Sequence, residues 1–207
     1  MNHYTRVVFS LFAGITSSMS VRAQLCVGGG FGTFHIPGAS QPFRVFGPTL
    51  RIENLPENGR VVPYLDISYF SKSEPEGTTE LYNSNGMPIG GASVTTKFSY
   101  IYNQLGFKCL LGADPDEKKI IPYVGGGVAL IYARQSTSFQ STFDAPGYAH
   151  GSFLYGFHFN AGIQYNVKAV VFELRGNLDI ILKPLVDAES NILTNLRLSA
   201  SIPITKH

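Results

Sequence analysis

Apolar and polar residues alternate singly along much of this chain. Phe153, Tyr155, Phe157, Phe159, Ala161, Ile163 and Tyr165 take the odd positions of one segment, with Gly156, His158, Asn160, Gly162 and Gln164 between them. Further on, Phe172, Leu174, Gly176, Leu178 and Ile180 alternate with Glu173, Arg175, Asn177 and Asp179. Leu196, Leu198, Ala200, Ile202 and Ile204 alternate with Arg197, Ser199 and Ser201, and Leu65, Ile67 and Tyr69 with Asp66 and Ser68. A period of two places each set on one face of a sheet. Strand character is found in eight segments, at 25–35, 43–54, 60–73, 95–112, 119–135, 150–166, 169–182 and 193–204, with no long helical periodicity between them.

The links between these segments have their own pattern. Leu55-Pro56-Glu57-Asn58-Gly59, Ala113-Asp114-Pro115-Asp116-Glu117-Lys118 and Asn166-Val167-Lys168 are short and rich in turn formers. The others, at 36–42, 74–94, 136–149 and 183–192, are longer, so short and long links alternate strictly. Strict alternation is expected of an up-and-down barrel with short turns at one end and long loops at the other, and a Greek-key sandwich has no reason to produce it.

Parity does not say which face is wet, because in a soluble sheet the apolar face is a core. Length and composition decide. The segments exceed the ~5–6 residues usual for globular strands, whereas a tilted membrane strand needs ~9–11 plus any extension beyond the lipid. Charged residues are 14% of the chain, against roughly 25% in soluble domains, and the polar faces are poor in the Lys and Glu that a water-facing surface favours. The expected fold class is therefore all-β: an eight-stranded antiparallel up-and-down transmembrane β-barrel.

The N-terminus adds a compartment. Arg6, the apolar run Val7–Thr16 and a polar stretch ending Val21-Arg22-Ala23 make the three regions of a secretory signal peptide, with cleavage expected before Gln24. The apolar run is far short of the ~20 residues of a spanning helix, and Leu25 before Cys26 does not fit a lipoprotein signal. The expected organisation is a signal peptide at 1–23 and a barrel domain at 24–207. Loss of Arg6 and Arg22 takes the formal charge from +2 to zero, which leaves no basic excess for nucleic acid.

Ile121-Pro122-Tyr123-Val124-Gly125-Gly126-Gly127-Val128-Ala129 resembles the PYVGxGxG strand of small OmpA/OmpX-like outer-membrane barrels. Asn160-Ala161-Gly162-Ile163-Gln164-Tyr165, followed by a tight turn and Val171-Phe172-Glu173-Leu174-Arg175, is similar to their penultimate hairpin. The resemblance covers nearly the whole of 24–207 and implies a fold and an outer-membrane location, not one activity, since the family has structural, adhesive and protective members. The chain departs from it at Ile202-Pro203-Ile204-Thr205-Lys206-His207, where many such barrels end on an aromatic.

By parity the inward-facing set includes Asp66, Lys108, His158, Glu173, Arg175, Asp179 and Arg197. Eight strands leave an interior just wide enough for side chains to fill, and an isolated buried charge is very costly. A plug of mutually neutralising charges is the expectation, and a gated ion path or small-ligand pocket the alternative. Tyr and Phe near strand ends suit interfacial girdles. Gly28-Gly29-Gly30-Phe31-Gly32 and Gly125-Gly126-Gly127 open no helix, so a phosphate cradle is not expected and relief of crowding is. Cys26 and Cys109 fall on non-adjacent strands and are expected as free thiols, and no ligand-spaced His cluster points to a metal or other cofactor.

His150 and Ser152 share a strand face and Asp144 precedes them, the residue types of a lipid-modifying hydrolase or acyltransferase, but no lipase motif accompanies them. No catalytic residue is therefore assigned. Outer-membrane lipid is the expected surrounding. The loops 74–94, with the hairpin signal Asn85-Gly86, and 136–149 are the expected contacts for an extracellular or envelope protein, and both are expected to continue as β-ribbon. The functional expectation is a structural or surface-interaction barrel of the outer membrane. A narrow channel, a lipid-modifying enzyme and a soluble periplasmic ligand-binding barrel are the alternatives.

Overall fold

A computed structural model of the protein describes residues 23–36, 43–56, 60–82, 85–112, 120–140, 147–167, 170–182 and 191–204. Eight strands follow one another: β1 (Ala23–Ile36), β2 (Phe43–Pro56), β3 (Val61–Tyr82), β4 (Pro88–Leu110), β5 (Ile120–Gln140), β6 (Tyr148–Val167), β7 (Val170–Ile181) and β8 (Ile192–Pro203). Each pairs antiparallel with the next, and β1 pairs with β8 from Cys26↔Pro203 to His35↔Thr194, which closes the sheet into a barrel. The signal peptide expected over 1–23 falls outside the described residues except for Ala23, the first residue of β1. The turn residues 57–59, 113–118 and 168, most of loops 36–42 and 183–192, and Asp144 also fall outside them.

Parity sorts the side chains as the alternation requires. Along β7 the buried residues are Val171, Glu173, Arg175, Asn177, Asp179 and Ile181, and their neighbours are exposed. On β6, Leu154, His158, Asn160 and Gln164 are buried, while Phe153, Tyr155, Phe157, Phe159 and Ile163 are about half exposed or more. Outward apolar residues continue around the wall through Leu198, Phe31, Phe46, Leu50, Ile67, Ile101, Val128 and Leu174. An exposed apolar surface that encircles a protein has no place in water. From Phe153 to Tyr165 this surface rises roughly 30 Å along the barrel axis at the strand rise and tilt usual for such barrels. Outward tyrosines lie towards its margins, with Tyr69, Tyr132 and Tyr155 at the loop end and Tyr165 at the turn end.

The central strands extend past the alternating segments, as the expected β-ribbons require: among the described residues of 74–94 and 136–149, β3 and β4 pair as far as Tyr82↔Pro88, and β5 and β6 as far as Thr137↔Tyr148. A bulge between Pro75 and Gly77 carries β3 onward, and Gly86, at φ 75°, sits in the turn after Asn85. Alternation fades towards the tip, where Thr78, Thr79 and Glu80 are exposed in succession, so hydrophobic periodicity cannot mark strands that hydrogen bonding continues there. β2 pairs with β3 only from Thr49↔Ser68 to Glu53↔Tyr64, and β6 with β7 only from Gly156 onward. The outer parts of β3–β6 therefore form a four-stranded ribbon standing above the barrel.

Glycines on β4 and β5 make room for the inward His158. A Cβ on Gly127 would lie 2.9 Å from His158 Cε1 and 2.1 Å from Leu105 O, and one on Gly106 would lie 2.9 Å from His158 Nε2. The imidazole occupies the space these two glycines leave. Gly127→Val is expected to lower unfolding free energy by about 2 kcal/mol through overpacking. Gly29→Ala, whose Cβ meets nothing nearer than 3.8 Å, should leave it unchanged. Urea titration followed by far-UV circular dichroism measures both, since the chain has no Trp to report by fluorescence.

Candidate functional site: the charged lumen

Inward residues advance two at a time along each strand, so the closed barrel stacks them in layers. At the turn end Val62, Leu110, Ile121 and Tyr123 form an apolar cluster. At the loop end Phe34, Phe70, Tyr102, Ile131, Leu154 and Leu193 belong to a second, larger one. Between them lie the buried charges of the described residues: four cations, Arg51, Lys108, Arg175 and Arg197, and four carboxylates, Glu53, Asp66, Glu173 and Asp179. Their formal charges cancel, which a low-dielectric interior requires.

Asp66, on β3, is the hub. Arg51 donates from Nε to Oδ1 at 2.8 Å and from NH2 to Oδ2 at 3.0 Å, a two-point contact. Arg197 NH1 reaches Oδ2 at 3.0 Å, and Arg175 NH2 donates to the same oxygen. One carboxylate thus holds three guanidiniums from β2, β7 and β8. A second centre lies nearer the turn end, where Lys108 Nζ donates to Glu53 at 2.7 Å, Glu173 at 2.8 Å and Gln164 at 3.0 Å. Arg51 also pairs with Glu173 and so joins the two centres. Ser201 donates to Glu53 at 3.0 Å.

Aromatic rings complete the cage. The guanidiniums of Arg175 and Arg51 lie 4.8 and 5.3 Å from the Tyr64 ring centroid, Arg197 lies 5.0 Å from that of Tyr102, and Lys108 Nζ lies 5.3 Å from that of Tyr123. Each cation thus faces a negative ring face as well as a carboxylate. Tyr64 Oη shares a hydrogen bond with His158 Nε2 at 2.6 Å and accepts one from Asn160 at 2.5 Å. Among the described residues Asp179 forms no ion pair within 4 Å. It accepts instead from Gln104 at 2.9 Å and Asn195 at 3.2 Å, just below the loop-end cluster.

All seven residues assigned inward by parity are buried in this region, with Asp66, Lys108, Glu173, Arg175 and Arg197 in one connected network, His158 against Tyr64, and Asp179 in the amide layer. Two principal members, Arg51 and Glu53, lie on β2, where the sequence pattern does not announce them. The signal there is muted, because outward Arg44 and inward Val45 reverse the usual polarity at the start of β2. Only the run Leu50-Arg51-Ile52-Glu53 carries the alternation.

The remaining candidates lie outside this network. His150 is exposed on the ribbon, opposite Gln135, and Ser152 lies opposite Ala133. Cys26 is buried in the lumen and Cys109 exposed on the outer wall, both as free thiols. Among the described residues no group of three His, Cys, Asp or Glu is placed to hold a metal ion.

No protein-family model and no curated protein matches the chain. Solved structures do. Ail, the attachment invasion locus protein of Yersinia pestis, in complex with the heparin analogue sucrose octasulfate, superposes with a TM-score of 0.56 at 13% identity over 89% of this chain and 100% of that one. Neisserial surface protein A superposes with a TM-score of 0.52 at 11% identity over 87% of this chain and 97% of that one. At such identities the likeness is one of fold.

Removal of the hub carboxylate leaves three buried guanidiniums without their shared partner. Asp66→Asn is expected to cost about 3–5 kcal/mol of unfolding free energy. Adding Arg175→Met should restore part of that loss, because one orphaned cation goes with it. Urea unfolding of Asp66→Asn, Arg175→Met and the double variant in detergent measures the coupling, and strictly additive losses would show that Asp66 and Arg175 do not interact.

Proposed function

We propose that this chain, whose fold is that of the small OmpA/OmpX-like barrels, is an integral outer-membrane protein with a plugged lumen and a structural or surface-interaction role. The signal peptide at 1–23 is the export device of this reading. The observation that carries it is the inversion of polarity across one wall: apolar side chains encircle the outside, while four cations and four carboxylates compensate one another inside. A water-soluble periplasmic barrel has no use for the outer surface. A channel is disfavoured by the two apolar clusters at the ends of the lumen and by a charge network that leaves each carboxylate hydrogen-bonded within the wall.

Interaction then falls to the ribbon. Above the barrel β3–β6 present polar residues on both faces, among them Thr78, Thr79, Glu80, Ser93 and Ser138, in the direction that small outer-membrane barrels turn their long loops, away from the cell. At its tip Tyr82 donates to Glu80 at 2.7 Å, and that carboxylate raises the phenol above its ordinary pKa. A lipid-modifying enzyme needs a carboxylate close to His150 and Ser152, and none of the described carboxylates is hydrogen-bonded or paired to either.

Recording in planar bilayers tests the plug. The refolded protein is expected to give no steady conductance steps, and sustained large openings would overturn the plugged reading in favour of the channel.

A further inference from the structure

At the tip of the ribbon the chain leaves the strand ladder. β3 and β4 pair for the last time at Tyr82↔Pro88, well beyond the point where β4 parts from β5 at Ser93↔Gln140. The segment that turns between them holds Asn85-Gly86, the pair that marks the hairpin in the sequence. Both residues are exposed, as are Met87 and Pro88 after them. Gly86 takes φ 75°, and a Cβ there would meet nothing within 4 Å. Gly106 and Gly127 make room for His158, but Gly86 is set by the turn alone.

An asparagine followed by glycine places an electrophile beside a nucleophile. The side-chain carbonyl carbon of Asn85 is one five-membered ring away from the backbone nitrogen of Gly86. A side chain on the second residue hinders that ring, and a strand holds the backbone extended with its N–H committed to a neighbour. Gly86 has no side chain, lies past the last rung of the ladder and is open to water. Asn103, Asn160 and Asn177 are the contrast. Each lies inside a paired strand, followed by Gln104, Ala161 and Leu178.

We propose that Asn85 is a site of spontaneous deamidation, which makes the ribbon tip more acidic as the protein ages. Hydroxide takes the Gly86 N–H proton, and the nitrogen attacks Cγ of Asn85. The bond from Cγ to Nδ2 breaks, and ammonia leaves with a proton from water. The succinimide that remains takes up one water and opens at either carbonyl, to aspartate or to a β-aspartyl residue that carries an extra methylene in the backbone. Water is the co-reactant, and nothing is oxidised or reduced. From Thr78 to Ala92 the sequence holds one charged residue, Glu80, so the formal charge of this arm goes from −1 to −2. The change disfavours acidic partners and favours basic ones. The reaction needs only the turn, whereas its bearing on a partner rests on the surface-interaction reading above.

Peptide mapping of the refolded barrel, sampled by mass spectrometry as it stands in neutral buffer, tests the site. After unfolding, trypsin cuts at Lys72 and Lys97 and releases the segment between them. The expected result is a gain of about one mass unit in that peptide, placed at Asn85 by fragmentation, with a rate that rises in proportion to hydroxide. The product should accept a methyl group from an isoaspartyl methyltransferase, and the peptide that holds Asn103 should keep its mass. Gly86→Ala should lose most of the gain, and Asn85→Gln, whose longer side chain requires a six-membered ring, should lose it altogether. An Asn85 that keeps its amide as long as Asn103 does, or an undiminished gain in Gly86→Ala, would overturn the site. Boiled and unboiled gel mobility separates the two readings: a protein without a mobility shift fails the outer-membrane reading, whereas a heat-modifiable barrel with a stable Asn85 fails only this site.

Discussion

The pairing of the last strand with the first is the constraint on which the rest depends. An open eight-stranded sheet keeps two edges whose N–H and C=O groups need water, and lipid offers them no partner. Once β1 and β8 pair through Cys26↔Pro203 and its neighbours, the edges disappear along most of the wall. The two faces of the sheet then become an inside and an outside that never exchange. From that point a period of two in the sequence is a period of two in solvent.

Closure makes the interior severe. Groups that a soluble sheet would hydrate, such as Arg175 and Asp66, are enclosed in a space that side chains fill, and their charges must be met by one another. The network does this with shared partners: three guanidiniums on Asp66, and one ammonium between Glu53 and Glu173. Sharing ties β2, β3, β4, β7 and β8 together through the centre, so the same contacts that neutralise the lumen brace the barrel across its width. Apolar clusters lie above and below these bonds. The polar ribbon of β3–β6 is free of both demands, and it is there that the chain has surface to vary.

Much of this was legible in the sequence, for a physical reason. Strands β6, β7 and β8 and the first half of β3 run between two environments of opposite polarity, so Phe157-His158-Phe159-Asn160 and Leu174-Arg175-Gly176-Asn177 state their orientation directly. The inward positions of Asp66, Glu173, Arg175, Asp179 and Arg197 come from that signal. It fails where polarity does not contrast. β1 and β5 turn Gly28, Gly30, Gly125 and Gly127 inward, and these have no side chain to read. On β2 the loop-end cluster takes Val45 inward while Arg44 faces out, which hides Arg51 and Glu53 behind a reversed start. The sharing of Asp66 by guanidiniums from three strands has no one-dimensional signature, because it is a meeting of residues distant in the chain.

A spin-label scan along β6 tests the central claim most directly. Single cysteines are placed at successive positions from 153 to 165, with Cys26 and Cys109 replaced by Ser, and the refolded protein is read in bilayers for collisions with oxygen and with a polar nickel complex. A lipid-facing wall around a sealed lumen predicts that odd positions, from Phe153 to Tyr165, collide with oxygen and not with nickel, and that even positions such as His158 and Asn160 collide with neither. Nickel access at the even positions would reveal a water-filled lumen, and nickel access at the odd positions would put the apolar wall in water. Either result would contradict this account.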